Sequence, residues 1–145
     1  MTEATATRTI WLSDLDLSLA ISGIYDVKAN RSANGNPLKI AGQGFERGVG
    51  VRADSFIHVD LGRRATRFQA SVGMDDDVAG AQPIGLFRVL GDRRVLWESG
   101  PVKAGEAPRA VDVDLTGVRV LLLHLRPQAD NWPFCHGDWV DARLE

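Results

Sequence analysis

Short runs in which apolar and polar residues alternate are the feature that most constrains what this chain can fold into. In residues 111–115, for example, three apolar side chains share one face and two aspartates the other, as a half-buried strand requires. Turn signals centred on glycine separate such runs at spacings of roughly 8–12 residues, and no amphipathic helix is convincing. The pattern predicts an all-β protein with a jelly-roll β-sandwich architecture.

The alternation places nine strands along the chain. They are residues 10–15, 45–53, 56–61, 66–73, 85–90, 94–99, 110–115, 118–126 and 138–144. The stretch 22–44 does not alternate, and because it is rich in Asn, Ser and Gly we expect a long ordered loop or a loop with a short strand. We expect the two terminal strands to lie side by side or face to face, with Trp11 or Trp139 buried.

If consecutive strands run antiparallel, several strand ends and their loops meet at one rim of the sandwich. That rim collects Arg52, Asp75, Asp76, Asp77, Arg126, Asp130, Asn131, Trp132, His136 and Asp138. Loops at the end of a rigid sandwich are where binding residues usually lie. The sequence therefore predicts a polar binding rim.

Size and composition argue against several classes of protein. A chain of 145 residues fits one domain, and its net charge of −2, with 17 scattered Lys and Arg, gives no basic surface for nucleic acid or an anionic membrane. No apolar run is long enough to span a bilayer, and the first nine residues lack the apolar core of a signal peptide. We expect residues 1–9 to be a flexible segment and residues 10–144 to form one module.

Catalytic arrangements are weak in this sequence. Cys135 and His136 are adjacent, but neighbours on an extended chain point to opposite faces, which prevents a catalytic dyad. A glycosidase pair can be drawn from residues 75–77 and Asp130 or Asp138, yet a small sandwich without a deep cleft argues against hydrolysis. We expect no enzymatic activity.

Trp132 lies in a polar loop and is followed by proline. An aromatic ring held there suits stacking on the C–H face of a pyranose, while the adjacent Asp130 and Asn131 can hydrogen-bond to hydroxyls. A lid over the core explains the residue equally well. Both interpretations stay open from the sequence.

Seven motifs in fixed order resemble the NPCBM family, carbohydrate-binding module family 51, over residues 10–144. They are residues 11–16 (WLSDLD), 47–51 (RGVGV), 60–62 (DLG), 67–73 (RFQASVG), 75–76 (DD), 96–100 (LWESG) and 136–144 (HGDWVDARL). The resemblance implies a galactose-binding-domain-like jelly roll that binds galactose-type glycans and carries no chemistry of its own. It also implies attachment to an extracellular or cell-surface glycoside hydrolase.

The resemblance and the rim together give two sets of candidate residues. The carbohydrate-binding candidates are Arg52, Asp75, Asp76, Asp130, Asn131, Trp132, His136 and Asp138. Folds of this kind often carry a structural calcium ion, for which the matching positions are Asn30, Ser32 and Asp141.

Four positions depart from the family pattern. Arg52 stands where the family commonly has His, Cys135 where it has Asp, Leu17 where it has Trp, and Asn30 where it has Asp. Three of these changes remove a polar or aromatic group from expected site positions. They support an alternative function, a structural or protein-interaction module that kept the fold and lost sugar binding.

Overall fold

The computed structural model describes residues 9–17, 27–128 and 134–145. Within these residues the chain forms twelve strands and two short 3₁₀ helices. The strands are β1 (Ile10–Trp11), β2 (Lys28–Ala29), β3 (Leu38–Ile40), β4 (Gln43–Phe45), β5 (Gly48–Arg52), β6 (Ser55–Asp60), β7 (Arg67–Met74), β8 (Ile84–Gly91), β9 (Arg94–Lys103), β10 (Arg109–Asp114), β11 (Val120–Pro127) and β12 (His136–Leu144). The 3₁₀ helices are Leu12–Asp14 and Asp76–Ala81.

Two antiparallel sheets make the sandwich. One has the order β10-β7-β12-β5-β2, with β1 added on the far part of β12, and the other has the order β6-β11-β8-β9. The hairpin β3–β4 belongs to neither sheet. The predicted all-β jelly-roll sandwich is confirmed. No helix within the described residues could span a bilayer.

The core lies between the two sheets because alternate residues of the long strands turn inward. In β11, for example, Leu121, Leu123 and Leu125 are fully buried. The ring of Trp139 sits at the centre, edge-on to Phe87 with 5.3 Å between ring centroids. In β10 the buried Val111 and Val113 are the apolar residues of the period-two pattern, because a pleated strand sends every second side chain to one face. The sequence of β11 is apolar on both faces, as expected of a central strand.

The chain ends pair, as predicted. Ile10 lies opposite Leu144 on antiparallel strands, and Trp139 is fully buried. Trp11 is half-buried, with the Arg47 guanidinium 4.5 Å above its ring. The ends of the described chain therefore lie together at one rim of the sandwich.

The predictions for two strands and for the stretch 22–44 were wrong in extent, and β9 continues to Lys103, beyond the predicted strand 94–99. The first strand stops at Trp11, because the chain then turns into a 3₁₀ helix that buries Leu12. The predicted strand 45–53 is divided: Phe45 ends the hairpin and Gly48 begins β5. The stretch 22–44 holds β2, β3 and part of β4 rather than one short strand at most. The hairpin buries Leu38 and Ile40 against Val140 on the outer face of the larger sheet. No local sequence pattern indicates this contact.

Candidate carbohydrate-binding site

The predicted rim is formed by strand ends from both sheets. His136 begins β12 and lies directly opposite Arg52 at the end of β5. Gly137, the next residue of β12, lies opposite Met74, where β7 ends and leads into the second 3₁₀ helix. The strand register thus brings these residues together as antiparallel alternation predicted.

An open cavity of about 420 Å³ lies at this rim. It is lined by Asn34, Arg52, Asp77, Val78, Gly80, Ala81, Phe134 and His136. The inner wall comes from the two paired strands, and the opposite wall from the second 3₁₀ helix and the loop that carries Asn34. The volume falls within the roughly 300–1,000 Å³ of small-molecule sites.

The cavity combines fixed polar groups with an exposed ring. Arg52 and His136 are only 5% and 3% exposed, so surrounding residues hold both side chains in place. A guanidinium offers a planar fork of donors, an imidazole and an amide can each donate and accept, and the carboxylate of Asp77 accepts. Phe134 is 50% exposed and supplies an apolar face. This set of groups suits a ligand that has hydroxyl groups and an apolar ring face.

The acidic triplet Asp75, Asp76 and Asp77 binds backbone and side-chain donors of one neighbouring segment, residues 30–42, which we call the strap. The two carboxylate oxygens of Asp76 accept hydrogen bonds from the N–H groups of Ala41 and Gly42, at 2.9 and 2.8 Å. The Ser32 hydroxyl donates to Asp77 Oδ2 at 2.6 Å. Donors from the strap are therefore partners of these adjacent carboxylates.

Asp75 caps the second 3₁₀ helix and holds the strap from beneath. Its Oδ1 accepts from the N–H of Asp77 at 2.9 Å, and its Oδ2 accepts from the N–H of Lys39 at 3.3 Å. Asp138 lies on the outer face of the larger sheet and is fully buried under the strap. Three of the predicted carbohydrate-binding residues, Asp75, Asp76 and Asp138, do not line the cavity. Asp77, from the same acidic triplet, does line it.

Asp130, Asn131 and Trp132 lie outside the described residues, and their sugar-binding role stays a prediction. Sequence reasoning missed Phe134 and Asn34. The signal for Phe134 was present, because it follows Trp132 and a proline in the same loop and an aromatic there invites the same stacking argument. Asn34 had no signal of its own within an Asn- and Ser-rich stretch.

The metal candidates are engaged by the chain itself. Asn30 Oδ1 accepts from the N–H of Gly48 at 3.1 Å, and the Ser32 hydroxyl is used by Asp77. Asp141 is exposed at an irregularity of β12. Within the described ranges no group of three His, Cys, Asp or Glu residues could hold a metal ion. These residues by themselves do not fit a calcium ion, which takes six to eight oxygens.

Cys135 and His136 do not form a dyad. The thiol of Cys135 lies in the core near the carbonyl oxygen of Ile84, at 3.8 Å, whereas His136 lines the cavity. Burial, followed by the charge of Asp54, raises the pKa of the Cys135 thiol to about 12. A thiol that stays protonated is not a nucleophile.

Comparison with known proteins gives concordant matches. The model of the NPCBM/NEW2 domain family matches residues 8–145. An alpha-1,3-galactosidase B of Akkermansia muciniphila is 31% identical over 120 residues, which are 80% of this chain and 15% of that protein. The chain thus spans less than a fifth of that relative's length.

Solved structures share the fold over nearly the whole chain. The CBM51 of Clostridium perfringens GH95, in complex with methyl-galactose, has a TM-score of 0.87 and 26% identity, covering 95% of this chain and all of that one. The CBM51-2 and INT domains of Clostridium perfringens ZmpB match with a TM-score of 0.89 and 23% identity, over 94% of this chain and 31% of that one.

Proposed function

Because the chain belongs to the NPCBM/NEW2 domain family, as its motifs predicted, we propose that it is a non-catalytic module that binds galactose-type glycans at the rim cavity. The observation that carries the proposal is the cavity itself. Arg52 and His136 form a fixed polar wall, Asp77 and Asn34 add hydrogen-bonding groups, and Phe134 offers a ring face. The C–H face of a galactose-type sugar suits that ring, while its hydroxyls need both donors and acceptors.

A binding role without catalysis is supported by the chemistry at the rim. The carboxylates of Asp75 and Asp76 accept hydrogen bonds from backbone N–H groups of the protein. The Cys135 thiol is buried with a raised pKa. Neither set offers the free acid and base, or the activated nucleophile, on which glycoside hydrolysis relies.

The position of the chain ends suits a module that displays its cavity outward. β12 runs from His136 at the cavity to Leu144, beside Ile10, at the opposite rim. Eight residue steps of a strand span roughly 25 Å. A longer polypeptide joined at those ends leaves the cavity accessible. We propose that the wider protein is an extracellular glycoside hydrolase, in keeping with the alpha-1,3-galactosidase B among its relatives.

Titration calorimetry with methyl-galactose tests the function directly. We expect weak binding, in the micromolar to millimolar range of about −8 to −4 kcal/mol, because the cavity is open. Arg52→Lys keeps the charge and removes the planar fork, so it should weaken binding. Arg94→Lys, on the exposed start of β9, is the matched control and should bind as the wild type does.

Two results would overturn the proposal. No binding to any neutral or acidic glycan on an array would favour the alternative of a structural or protein-interaction module. Release of product from chromogenic galactosides by the purified chain, and its loss in an Arg52 variant, would show a catalytic site instead.

A further inference from the structure

Asp138 is buried where the strap lies against the larger sheet. It is 0% exposed, and its register partners on the two flanking strands are Gly50 and Gly73. A Cβ atom at Gly50 would lie 2.2 Å from the carbonyl oxygen of Arg31, and one at Gly73 would lie 2.5 Å from Ile40 Cγ2. The strap and the hairpin therefore rest directly on the backbone on either side of this carboxyl.

The carboxyl of Asp138 receives no hydrogen bond from a donor of the described residues. The side chain that faces it is another acid, Asp75, which is 1% exposed. Asp75 already accepts from the N–H groups of Lys39 and Asp77. A buried carboxylate without a donor, next to a second carboxylate, is strongly unfavourable unless one of the two carries a proton.

The surrounding charges do not relieve this pair. Asp76 and Asp77, on the second 3₁₀ helix, add negative charge. Lys39 of β3 contributes its backbone N–H and has an exposed side chain, and Arg31 of the strap contributes a carbonyl oxygen beside Gly50. Arg52 and His136 lie two positions along β5 and β12, at the cavity. Lys28 is the register partner of Gly50 on the edge strand β2 and is half-buried there.

Burial raises the pKa of both acids. For Asp138 desolvation is the largest cause, followed by the hydrogen bond and the charge of Asp75. For Asp75 desolvation also comes first, and the hydrogen bonds that it accepts oppose it. A cation in place of the proton would need oxygen ligands beyond this pair, because no group of three acidic, His or Cys side chains within the described residues could hold one.

We infer that Asp75 and Asp138 share one proton in the folded protein, and that this proton holds the strap and the adjoining cavity wall against the sheet. The shared proton converts repulsion into a short carboxyl–carboxylate hydrogen bond. Asp75 passes the constraint on, because it caps the helix that carries Asp77, Val78 and Ala81 into the cavity and holds Lys39 of the strap. Asp138 is thus a positioning residue.

The effect of pH on stability follows from the direction in which the pKa of the pair is shifted. The folded protein keeps a proton that the unfolded chain releases, so unfolding releases protons and the free energy of unfolding falls as pH rises above the ordinary aspartate range. When the pair loses its proton to solvent at still higher pH, two adjacent carboxylates repel each other and the strap loosens. We expect glycan affinity to fall as well, an expectation that rests on the proposed function. The loosening of the strap does not depend on that function.

The variant Asp138→Asn distinguishes the effect of the shared proton from the effect of side-chain packing. The amide has the size of the acid and donates a hydrogen bond to Asp75 at every pH, so it replaces the proton permanently. We measure amide hydrogen exchange of Lys39, Ala41 and Gly42, and melting temperature, from about pH 5 to about pH 9. After correction for the intrinsic pH dependence of exchange, the wild-type strap should lose protection as pH rises, while the strap of Asp138→Asn should not. The melting temperature of the wild type should fall relative to that of Asp138→Asn over the same range, and this difference cancels the contribution of His124, which both proteins share. Glu98→Gln, an exposed change on β9, should behave as the wild type.

A second readout does not depend on the variant folding. Carbon-13 carboxyl shifts of wild-type aspartates should show that one of the two acids keeps its proton above the ordinary aspartate range. Ionisation of both acids within that ordinary range, or the same pH profile in Asp138→Asn as in the wild type, would overturn the inference. An increase in strap protection on addition of calcium would also overturn it. Calorimetry with methyl-galactose at both pH limits adds the link to binding. A strap that responds to pH without any sugar binding would sink the proposed function and leave the shared proton standing.

Discussion

His136 and Arg52 are register partners on antiparallel strands, and both side chains are almost completely buried while facing the same cavity. The pairing joins the first residue of β12 to the last residue of β5. Two hydrogen-bonding groups are thereby fixed by sheet geometry and not by loop conformation. Groups held in this way bind a ligand without the entropic cost of ordering them.

Phe134→Ala should weaken glycan binding without affecting the fold. Its ring is half-exposed at the mouth of the cavity, so truncation removes an apolar face and little packing. If the ring covers about 50 Å² of apolar sugar surface, about 25 cal/mol per Å² gives a loss of roughly tenfold in affinity. Calorimetry with methyl-galactose measures the loss. Leu96→Ala, an exposed apolar change on β9, is the control, and equal affinities for the two variants would exclude Phe134 from the site.

The sequence predicted the sandwich and its rim because both follow from local periodicity. Alternation marked which side chains of β7 and β10 turn inward, and counting strand directions placed Arg52 and His136 at the same rim. It did not predict the strap, because the contacts of the strap are long-range. Ser32 donates to Asp77 across 45 positions of the sequence, and no pattern near either residue encodes that pair.

The acidic triplet illustrates the same limit of sequence-based prediction. From the sequence, three adjacent aspartates favour a solvated turn, with sugar hydroxyls or a cation as alternative partners for the like charges. Their partners are backbone N–H groups such as those of Lys39 and Ala41, which every segment of sequence carries. The donors became identifiable only once the strap had been placed on the sheet.

Gly50→Ala should destabilise the protein because the strap leaves no room for a side chain. The added Cβ would meet the carbonyl oxygen of Arg31 at 2.2 Å and the Cα of Ser32 at 2.6 Å, and backbone atoms cannot rotate away. Overpacking of this kind costs about 1–3 kcal/mol. Urea denaturation gives the free energy of unfolding. Gly80→Ala has no neighbour within 4 Å and should leave it unchanged; a similar loss in both variants would contradict the close contact.

Trp139→Ala should be far more costly, since the ring is fully buried between the sheets. It packs edge-on against Phe87, at 5.3 Å, and against Phe68, at 6.1 Å. Loss of such a ring costs about 3–5 kcal/mol. Trp11→Ala removes a half-buried ring at the edge and should cost less. A melting temperature that is the same for Trp139→Ala and the wild type would show that the ring does not carry the core.

Chelation tests the predicted calcium ion. Asn30 and Ser32 already hydrogen-bond within the chain, and no group of three His, Cys, Asp or Glu in the described residues could hold a metal ion. A calcium ion held by these residues and Asp141 alone would lack most of its six to eight oxygens. We therefore expect EDTA to leave the melting temperature unchanged. A fall that added calcium reverses, and that Asp141→Asn abolishes, would establish the ion.

His124 should make the protein less stable as pH falls through the imidazole range. The residue is 8% exposed, its ring stacks on Phe56 at 4.3 Å, and its Nε2 lies 3.3 Å from Asp54 Oδ1. Burial lowers the pKa of His124, the charges of Arg88 and Arg126 lower it further, and Asp54 opposes them. The unfolded chain therefore takes up a proton before the folded protein does, so the free energy of unfolding contributed by this residue rises with pH.

The measurement is urea denaturation of the wild type and His124→Gln at about pH 5 and about pH 7. Glutamine retains a hydrogen-bonding group near the position of Nε2 and does not titrate, so the difference in stability between the two proteins isolates the imidazole. The wild type should gain on the variant as pH rises between these values. His58→Gln, an exposed change on the neighbouring strand β6, controls for the loss of any histidine. A constant difference between wild type and His124→Gln would show that the buried ring does not govern stability at acid pH.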